Sequence, residues 1–419
     1  MLVLCGILII LLLGFIAFKR TIPIFVAVVF VPPLVGLLFG IEPQQLLSAS
    51  VSGIESMLPN MALLLFSIFF FSVIIKSGFF DGVLGALSPF FAKNPLFLMV
   101  GTVLITVFVA AGGSTIGSYI VVILSMLPFY RKLGISSRVL GLVVAAAACV
   151  GRIFPWTGRT VLLTSITGMD PSLLFQNSYG AMLLGFLGCG LVIAYCAVWV
   201  RKHPEPPQAL DLSARQGIKK DARFWLNAAL YVLCCACVLF VDVPGYMIFL
   251  VFGVIAVAVN CRSQQQRKEV FSYAGSIAFP VCLMQIGAGV MMGVFNNCGI
   301  MDAMLQAVSA ALPETLHRYL PLMLSALSTV LLLGMPFQCL FAVLPVVAGI
   351  STLAGASPVA CVLPYIILFP LGYAPFTTYN AAIDDLLEQP KGTHLRFAML
   401  PLGAIHVLLL LLGMLFGIF

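Results

Sequence analysis

The chain has 419 residues, 62% of them hydrophobic and 8% charged, with a mean hydropathy of +1.16 and a formal net charge of +7. Such a composition excludes a water-soluble domain. Apolar runs long enough to span a bilayer recur throughout, so the chain reads as an all-α polytopic membrane protein with the lipid bilayer as its first partner. The weaker alternation of an outer-membrane barrel is absent.

The basic residues are spread over separate short loops, which argues against nucleic-acid binding and instead marks cytoplasmic ends. The 12 cysteines mostly fall inside apolar segments without CxxC or Cys/His ligand spacing, as small buried hydrophobes do.

The first helix, residues 2–18, ends in Lys19-Arg20 without a small-residue cleavage site, so it reads as a retained span rather than a signal peptide. A second helix is expected near 22–40. A loop over 42–56, with Glu42 and Glu55 and no basic residue, fits the outer side. The third helix, about 58–75, returns to Lys76, which either snorkels or meets Asp81. A short amphipathic piece follows at 78–91.

The next apolar run, 96–130, is bounded by Lys93 and by Arg131-Lys132, and its middle, 111–118, is small and polar. Two half-length helices meeting at that tip form a re-entrant hairpin over about 95–131. The alternative is a pair of full helices with a tight outer turn, but each half falls short of the ~20 residues a span needs.

Residues 139–168 read as a broken helix. Arg152 and Arg159 flank Pro155-Trp156-Thr157-Gly158. Pro155 has no N–H to donate and Gly158 is conformationally loose, so the helix is expected to unwind there. Open backbone at membrane depth is tolerated only inside protein or along a wet cavity. Each arginine near the midplane costs roughly 2.5–3.5 kcal/mol, which an anion would offset.

A helix over 178–200 leads to a polar stretch, 201–223, carrying Arg201, Lys202, Arg215, Lys219, Lys220 and Arg223. It reads as a cytoplasmic linker between two halves, 1–200 and 224–419.

The second half repeats the order. Helices are expected at 224–241 and 245–261, followed by a basic, Gln-rich loop at 263–269. A helix at 276–296 and an amphipathic piece at 299–312 come next. A second hairpin over about 319–350 has its tip at 333–338. A second broken helix over 358–384 has its break at 369–375. A cytoplasmic loop carries Asp384, Asp385, Lys391, His394 and Arg396, and the last helix covers 398–418.

Ser77-Gly78-Phe79-Phe80-Asp81 parallels Cys298-Gly299-Ile300-Met301-Asp302, and Phe154-Pro155 parallels Phe369-Pro370. Five spanning helices per half is an odd number, so the halves are expected to be inverted repeats. Inverted repeats with an interrupted helix in each are the pattern of a secondary transporter with its site at the repeat interface.

Two hairpin tips and two helix breaks should then converge, with half-helix N-termini turned toward an anion. Gly112 and Gly113 allow close backbone approach, and Ser114 and Thr115 supply hydroxyls. Arg152, Thr157, Gly158, Arg159 and Thr160 belong to the first break. Gly334, Met335, Pro336, Phe337 and Gln338 form the second tip. Gly372, Tyr373, Thr377, Thr378, Tyr379 and Asn380 belong to the second break.

Alternatives stay open for these residues. Each hydroxyl could satisfy its own backbone. Arg152 could pair with a carbonyl of the opened loop or snorkel. Arg159, following Thr157-Gly158, is the better substrate contact. No Asp or Glu falls clearly inside a membrane core, and the lone His406 reads as packing rather than as a proton relay. No metal or cofactor is expected beyond a coupling ion, H+ or Na+, the latter held by backbone carbonyls at the breaks.

Three stretches resemble the CitMHS family of citrate–metal secondary transporters, within the ion transporter superfamily. They are Gly113-Ser114-Thr115 with MLPFYRKLGISSRVL (126–140); PWTGRTVLLTSITGMDP (155–171); and LGMPFQCLFAVLPV (333–346) with FPLGYAPFTTY (369–379) and HLRF (394–397). The resemblance implies a fold related to divalent-anion/sodium symporters. It also implies a homodimer and an elevator-type transport part built from hairpins and broken helices.

Metal–citrate carriers of the family place acidic residues at both hairpin tips, whereas here the tips read Ala111-Gly112-Gly113 and Pro336-Phe337-Gln338. Arg159 replaces a neutral residue of the family pattern, and the arginine expected a few residues later falls near Leu162.

The resulting expectation is a multi-pass protein of the bacterial plasma membrane that carries a free di- or tricarboxylate such as citrate. Metal–citrate symport is the alternative. An intramembrane enzyme is a distant rival, since His203, His317 and His394 lie in expected loops. A passive channel is another.

Overall fold

Every regular element among the described residues is helical. The computed structural model describes residues 1–19, 22–80, 82–83, 94–112, 115–208, 221–334, 337–375 and 378–419. The side chains at 17, 115–116, 166–167, 337–339, 341–342 and 378–379 also lie outside the description. Gly113, Ser114, Met335, Pro336 and Thr377, most of the amphipathic piece 78–91, and the linker from 209 to 220 therefore fall outside it. So do the side chains of Thr115, Phe337, Gln338, Thr378 and Tyr379.

Helices α1 (Leu2–Lys19) and α2 (Ile24–Leu38) lead to α3 (Pro43–Lys76), which has 34 residues. The expected outer loop at 42–56 is thus wrong: it is the first four turns of α3. Pro43 sits at the first helical position, where its missing N–H costs nothing. The small, polar residues after it line a close helix contact.

The hairpin helices are α4 (Pro95–Ala110) and α5 (Thr115–Lys132). Asn94 caps α4 by accepting from the Leu96 N–H at 2.9 Å. The first broken helix consists of α6 (Ser137–Val150) and α7 (Gly158–Thr167). Its open stretch, 151–157, begins earlier than Pro155 alone would dictate. α8 (Pro171–Gln176), capped by Asp170, and α9 (Tyr179–Lys202) complete this half.

α10 (Ala222–Phe240) and α11 (Gly245–Asn260) lead to α12 (Gln264–Asn297), again of 34 residues. The expected Gln-rich loop at 263–269 is a second misreading. Ser263 Oγ accepts from the Gln266 N–H, and the Gln266 side chain accepts from the Ser263 N–H, a reciprocal cap that starts α12 there.

α13 (Ile300–Ala311) and α14 (Glu314–His317) precede α15 (Leu320–Gly334) and α16 (Phe337–Leu353). The second broken helix comprises α17 (Pro358–Ile366), a 3-10 turn (Phe369–Gly372) and α18 (Thr378–Leu386). The last helix, α19 (Thr393–Leu415), starts earlier than expected. His394 and Arg396 are therefore helical rather than in a loop, and His317 and His394 are both buried.

α3 and α12 run antiparallel. Gln45 donates to the Asn297 carbonyl at one end, and Lys76 Nζ lies 4.8 Å from the Tyr273 ring centre at the other. Between these points Gly53 faces Gly289 and Gly293 with their backbones touching. Small residues four apart allow such contact between apolar helices. At about 51 Å each, these helices exceed the thickness of a hydrocarbon core.

Two apolar cores result. The smaller joins α1 and α2 to the first half of α3, the end of α12, α13 and α16. The larger contains the first hairpin, both broken helices, α9 and α19. Five helices (α3, α9, α10, α12 and α19) are long and apolar enough to cross a membrane, by length and composition, among the described residues.

Candidate functional site

Each broken helix leaves carbonyls at the end of its first half and N–H groups at the start of its second half without intrahelical partners. The hydroxyls of the first break serve this need. Thr157 Oγ1 lies 2.5 Å from the Arg152 carbonyl and 3.0 Å from that of Phe154, while Thr160 Oγ1 lies 3.0 Å from the Ile153 carbonyl. Both threonines are buried. They hold the open loop in shape, the backbone role weighed for them from sequence.

The loop is also tied to its surroundings. Trp156 Nε1 donates to the Ala111 carbonyl at the tip of the first hairpin. Gly151 packs so closely that a Cβ there would sit 2.7 Å from the Ala110 Cβ, which fixes glycine at the point where the break crosses α4. Gly112 is buried beside Phe71.

Arg159, in the first turn of α7, is 8% exposed. Its Nη1 donates to the Cys149 carbonyl at 3.2 Å and to the Ile366 carbonyl at 2.7 Å. These oxygens belong to the last turns of α6 and α17, where helix dipoles concentrate negative charge. One guanidinium thus joins the two breaks. Arg152 is equally buried. Cys149 Sγ, 3.6 Å from the Leu368 carbonyl, adds a second link.

At the second break, Tyr373 donates its hydroxyl to the Thr329 carbonyl of α15 at 2.7 Å, and His394 Nε2 lies 3.0 Å from the Gly372 carbonyl. A Cβ at Gly372 would meet the Leu402 side chain at 2.9 Å, so that leucine would have to shift. Asn380, in the first turn of α18, is 6% exposed, and its amide makes no hydrogen bond among the described residues.

The helix pairing is crossed. α16 of the second hairpin packs on α7 of the first broken helix, and α5 of the first hairpin packs on α18 of the second. The structure thereby brings Arg152, Thr157, Gly158, Arg159 and Thr160 together with Gly112. It links them through the Ile366 carbonyl to the break holding Gly372 and Tyr373. Gly158 and Gly334 both have open space where a side chain would be.

Sequence reasoning did not single out Trp156, the Cys149 and Ile366 carbonyls or Asp384. Only Trp156, inside the Pro-Trp-Thr-Gly break, carried a readable signal: an indole N–H in an unwound membrane segment needs an acceptor.

The CitMHS family, described as "Citrate transporter", matches residues 7–367. The "Citrate transporter" of Bacillus subtilis (strain 168) is 27% identical over 345 residues, covering 79% of this chain and 78% of that protein. The "Mg(2+)/citrate complex secondary transporter" of the same organism is 23% identical over 410 residues, covering 95% and 94%. Its "Uncharacterized transporter YraO" is 22% identical over 375 residues, covering 83% and 84%.

Because the match begins in α1 and runs through both hairpins to Ile367, at the edge of the second break, the chain belongs to the CitMHS family of citrate transporters.

Proposed function

We propose that the protein is a secondary active transporter of a small free organic anion, a di- or tricarboxylate such as citrate, coupled to protons or sodium. The observation that carries this reading is the Arg159 guanidinium held between the carbonyl ends of two broken helices. A buried cation there, in the first turn of α7, suits a carboxylate. In this reading Arg152, Gly112 and Asn380 join Arg159 in the site, and the tip residues Gly113, Ser114, Met335, Pro336 and Gln338 complete it.

The mechanism in this reading is elevator-type alternating access by inverted repeats in a homodimer. The grouping of the first hairpin and both broken helices in one apolar core supports it. The antiparallel α3 and α12, equal in length, and the crossed pairing of hairpins and broken helices support the repeat.

Symport of a divalent metal–citrate complex is the second reading. It draws on the relative named for the Mg2+/citrate complex, which aligns over 95% of this chain. Uptake of labelled citrate and succinate into proteoliposomes, with and without magnesium, under imposed proton or sodium gradients, separates the two. Metal-independent, saturable uptake is the expected result. Uptake that requires magnesium selects the metal complex. Absence of uptake of either acid in all conditions overturns the carboxylate reading.

A further inference from the structure

The end of α3 and the first turns of α12 line a groove far from the two breaks. Lys76, the last residue of α3, shares it with Lys268, Glu269, Ser272, Tyr273 and Ser276 of α12. The α12 residues follow one another at helical spacing, so they form one stripe of that helix. The groove has a volume of about 440 Å³, within the range of about 300–1,000 Å³ usual for ligand sites.

Its chemistry suits an anion that also carries hydroxyls. Lys76 Nζ lies over the Tyr273 ring, 4.8 Å from its centre, which holds the ammonium at the groove. Lys268 is exposed on the same stripe, and Ser272 adds an exposed hydroxyl. Neither lysine forms an ion pair among the described residues, where the pairs are Arg131–Glu388 and Lys391–Asp385. Gln265 donates to one oxygen of Glu269 at 2.9 Å, and that carboxylate keeps lone pairs for further donors. Two ammonium groups against one carboxylate leave one positive charge in excess, the complement of a phosphodiester. The neighbouring Arg267 is engaged elsewhere, its Nε donating to the Cys261 carbonyl at 3.1 Å.

The depth of the groove decides what kind of anion. Centred on the bilayer, α12 extends about 10 Å, or about seven residues, past the hydrocarbon at each end. That puts the boundary near Phe271. Lys268 then stands at headgroup level and Ser276 just inside. Phe271 is 56% exposed and stacks on Phe69 at 5.3 Å, and Phe279, 67% exposed, continues the stripe toward the acyl chains. Polar groups at the boundary with bare aromatic rings beside and beyond them fit a lipid along its length, which a soluble anion would not need. Lys76, Arg262, Arg267 and Lys268 gather at this end, whereas Glu42 and Asn297 lie at the other, so this end faces the cytoplasm and its anionic leaflet.

We propose that this groove binds one anionic phospholipid of the cytoplasmic leaflet. The phosphate lies at Lys76 and Lys268, hydroxyls of a polyol headgroup donate to Glu269, and a chain runs along Phe271 and Phe279. The lipid thereby bridges the ends of the two longest helices, whichever substrate the protein carries.

The test uses the purified full chain in detergent micelles with equal amounts of phosphatidylglycerol and phosphatidylcholine of the same acyl chains. Bound lipid is counted by native mass spectrometry. The wild type is expected to retain phosphatidylglycerol with a preference on the order of tenfold. Lys76→Gln with Lys268→Gln keeps both side chains long but uncharged, and is expected to abolish the preference. Lys76→Arg with Lys268→Arg keeps the charge and is expected to preserve it. An excess of inorganic phosphate is expected to leave the lipid in place. Equal retention of the two lipids by the wild type, a result that needs no variant, overturns the proposal. So does an undiminished preference in the glutamine variant. Displacement by inorganic phosphate makes the groove a site for soluble anions and overturns the lipid assignment.

Discussion

Arg159 and Ile366 stand on different broken helices, yet the guanidinium of one meets the carbonyl of the other at 2.7 Å. The same nitrogen reaches Cys149 at the end of α6. One side chain therefore ties the two breaks together, beside the weaker link from the Cys149 thiol to the Leu368 carbonyl. A positive group placed there to offset two helix C-termini is also where an anion would alter the balance of charge.

Replacing Arg159 by alanine leaves the Cys149 and Ile366 carbonyls buried without that donor. The cost is expected at about 1–3 kcal/mol of stability, together with loss of citrate uptake. Arg159→Lys keeps the charge but not the planar fork, and is expected to recover stability more than uptake. Melting temperature and uptake measured on the same preparations check both. Full activity in Arg159→Ala would refute the site.

The contact between α3 and α12 leaves no room for a methyl group. A Cβ at Gly53 would run into the Gly289 carbonyl. Gly53→Ala is expected to lower stability by about 1–3 kcal/mol, because the helices must separate. Gly190, exposed on α9 with open space around it, is the control. Gly190→Ala is expected to be neutral or to stabilise by up to about 1 kcal/mol, since alanine favours helix. Thermal unfolding of both in detergent tests this, and an equal response at the two positions would remove the packing argument.

Asp384, 1% exposed, accepts from the Gly392 N–H at 2.7 Å and the His394 N–H at 2.9 Å. It caps the last helix from a neighbouring element, and its charge suits that helix N-terminus. Asp384→Ala leaves both donors unsatisfied and is expected to cost about 2–3 kcal/mol, with Asp384→Asn costing less. Unfolding midpoints of the two variants decide whether this carboxylate is structural. A loss of proton coupling at unchanged stability would give it a different role.

The helices were legible because apolar length is written directly in the chain, and both breaks carry proline and glycine near the points where the backbone opens. The stretches at 42–56 and 263–269 misled. Small residues around Gly53 look like a loop until Gly289 and Gly293 are seen to pack against them. Gln266 looks like a surface residue until it caps Ser263. His394 and Asp384 looked like loop residues because their burial comes from tertiary packing. Arg159 stood out as a costly charge, but its carbonyl partners have no side-chain signal. The rival of an intramembrane enzyme falls with the family match, since the family and the named relatives are transporters.

Asn380 offers the sharpest separation of binding from stability. Its amide is 6% exposed and has no hydrogen bond among the described residues. An unsatisfied buried amide costs about 1–3 kcal/mol in the protein without substrate. A leucine of similar size has no such penalty, so Asn380→Leu is expected to hold or raise the melting temperature. If the amide donates to a carboxylate of the substrate, the same change removes a charged hydrogen bond of about 1.5–3 kcal/mol. Citrate affinity should then fall by at least about tenfold, since 1.4 kcal/mol corresponds to that factor. Opposite movement of stability and affinity is the mark of a group kept for its ligand. A drop in melting temperature with affinity unchanged would make Asn380 a packing residue and remove it from the site.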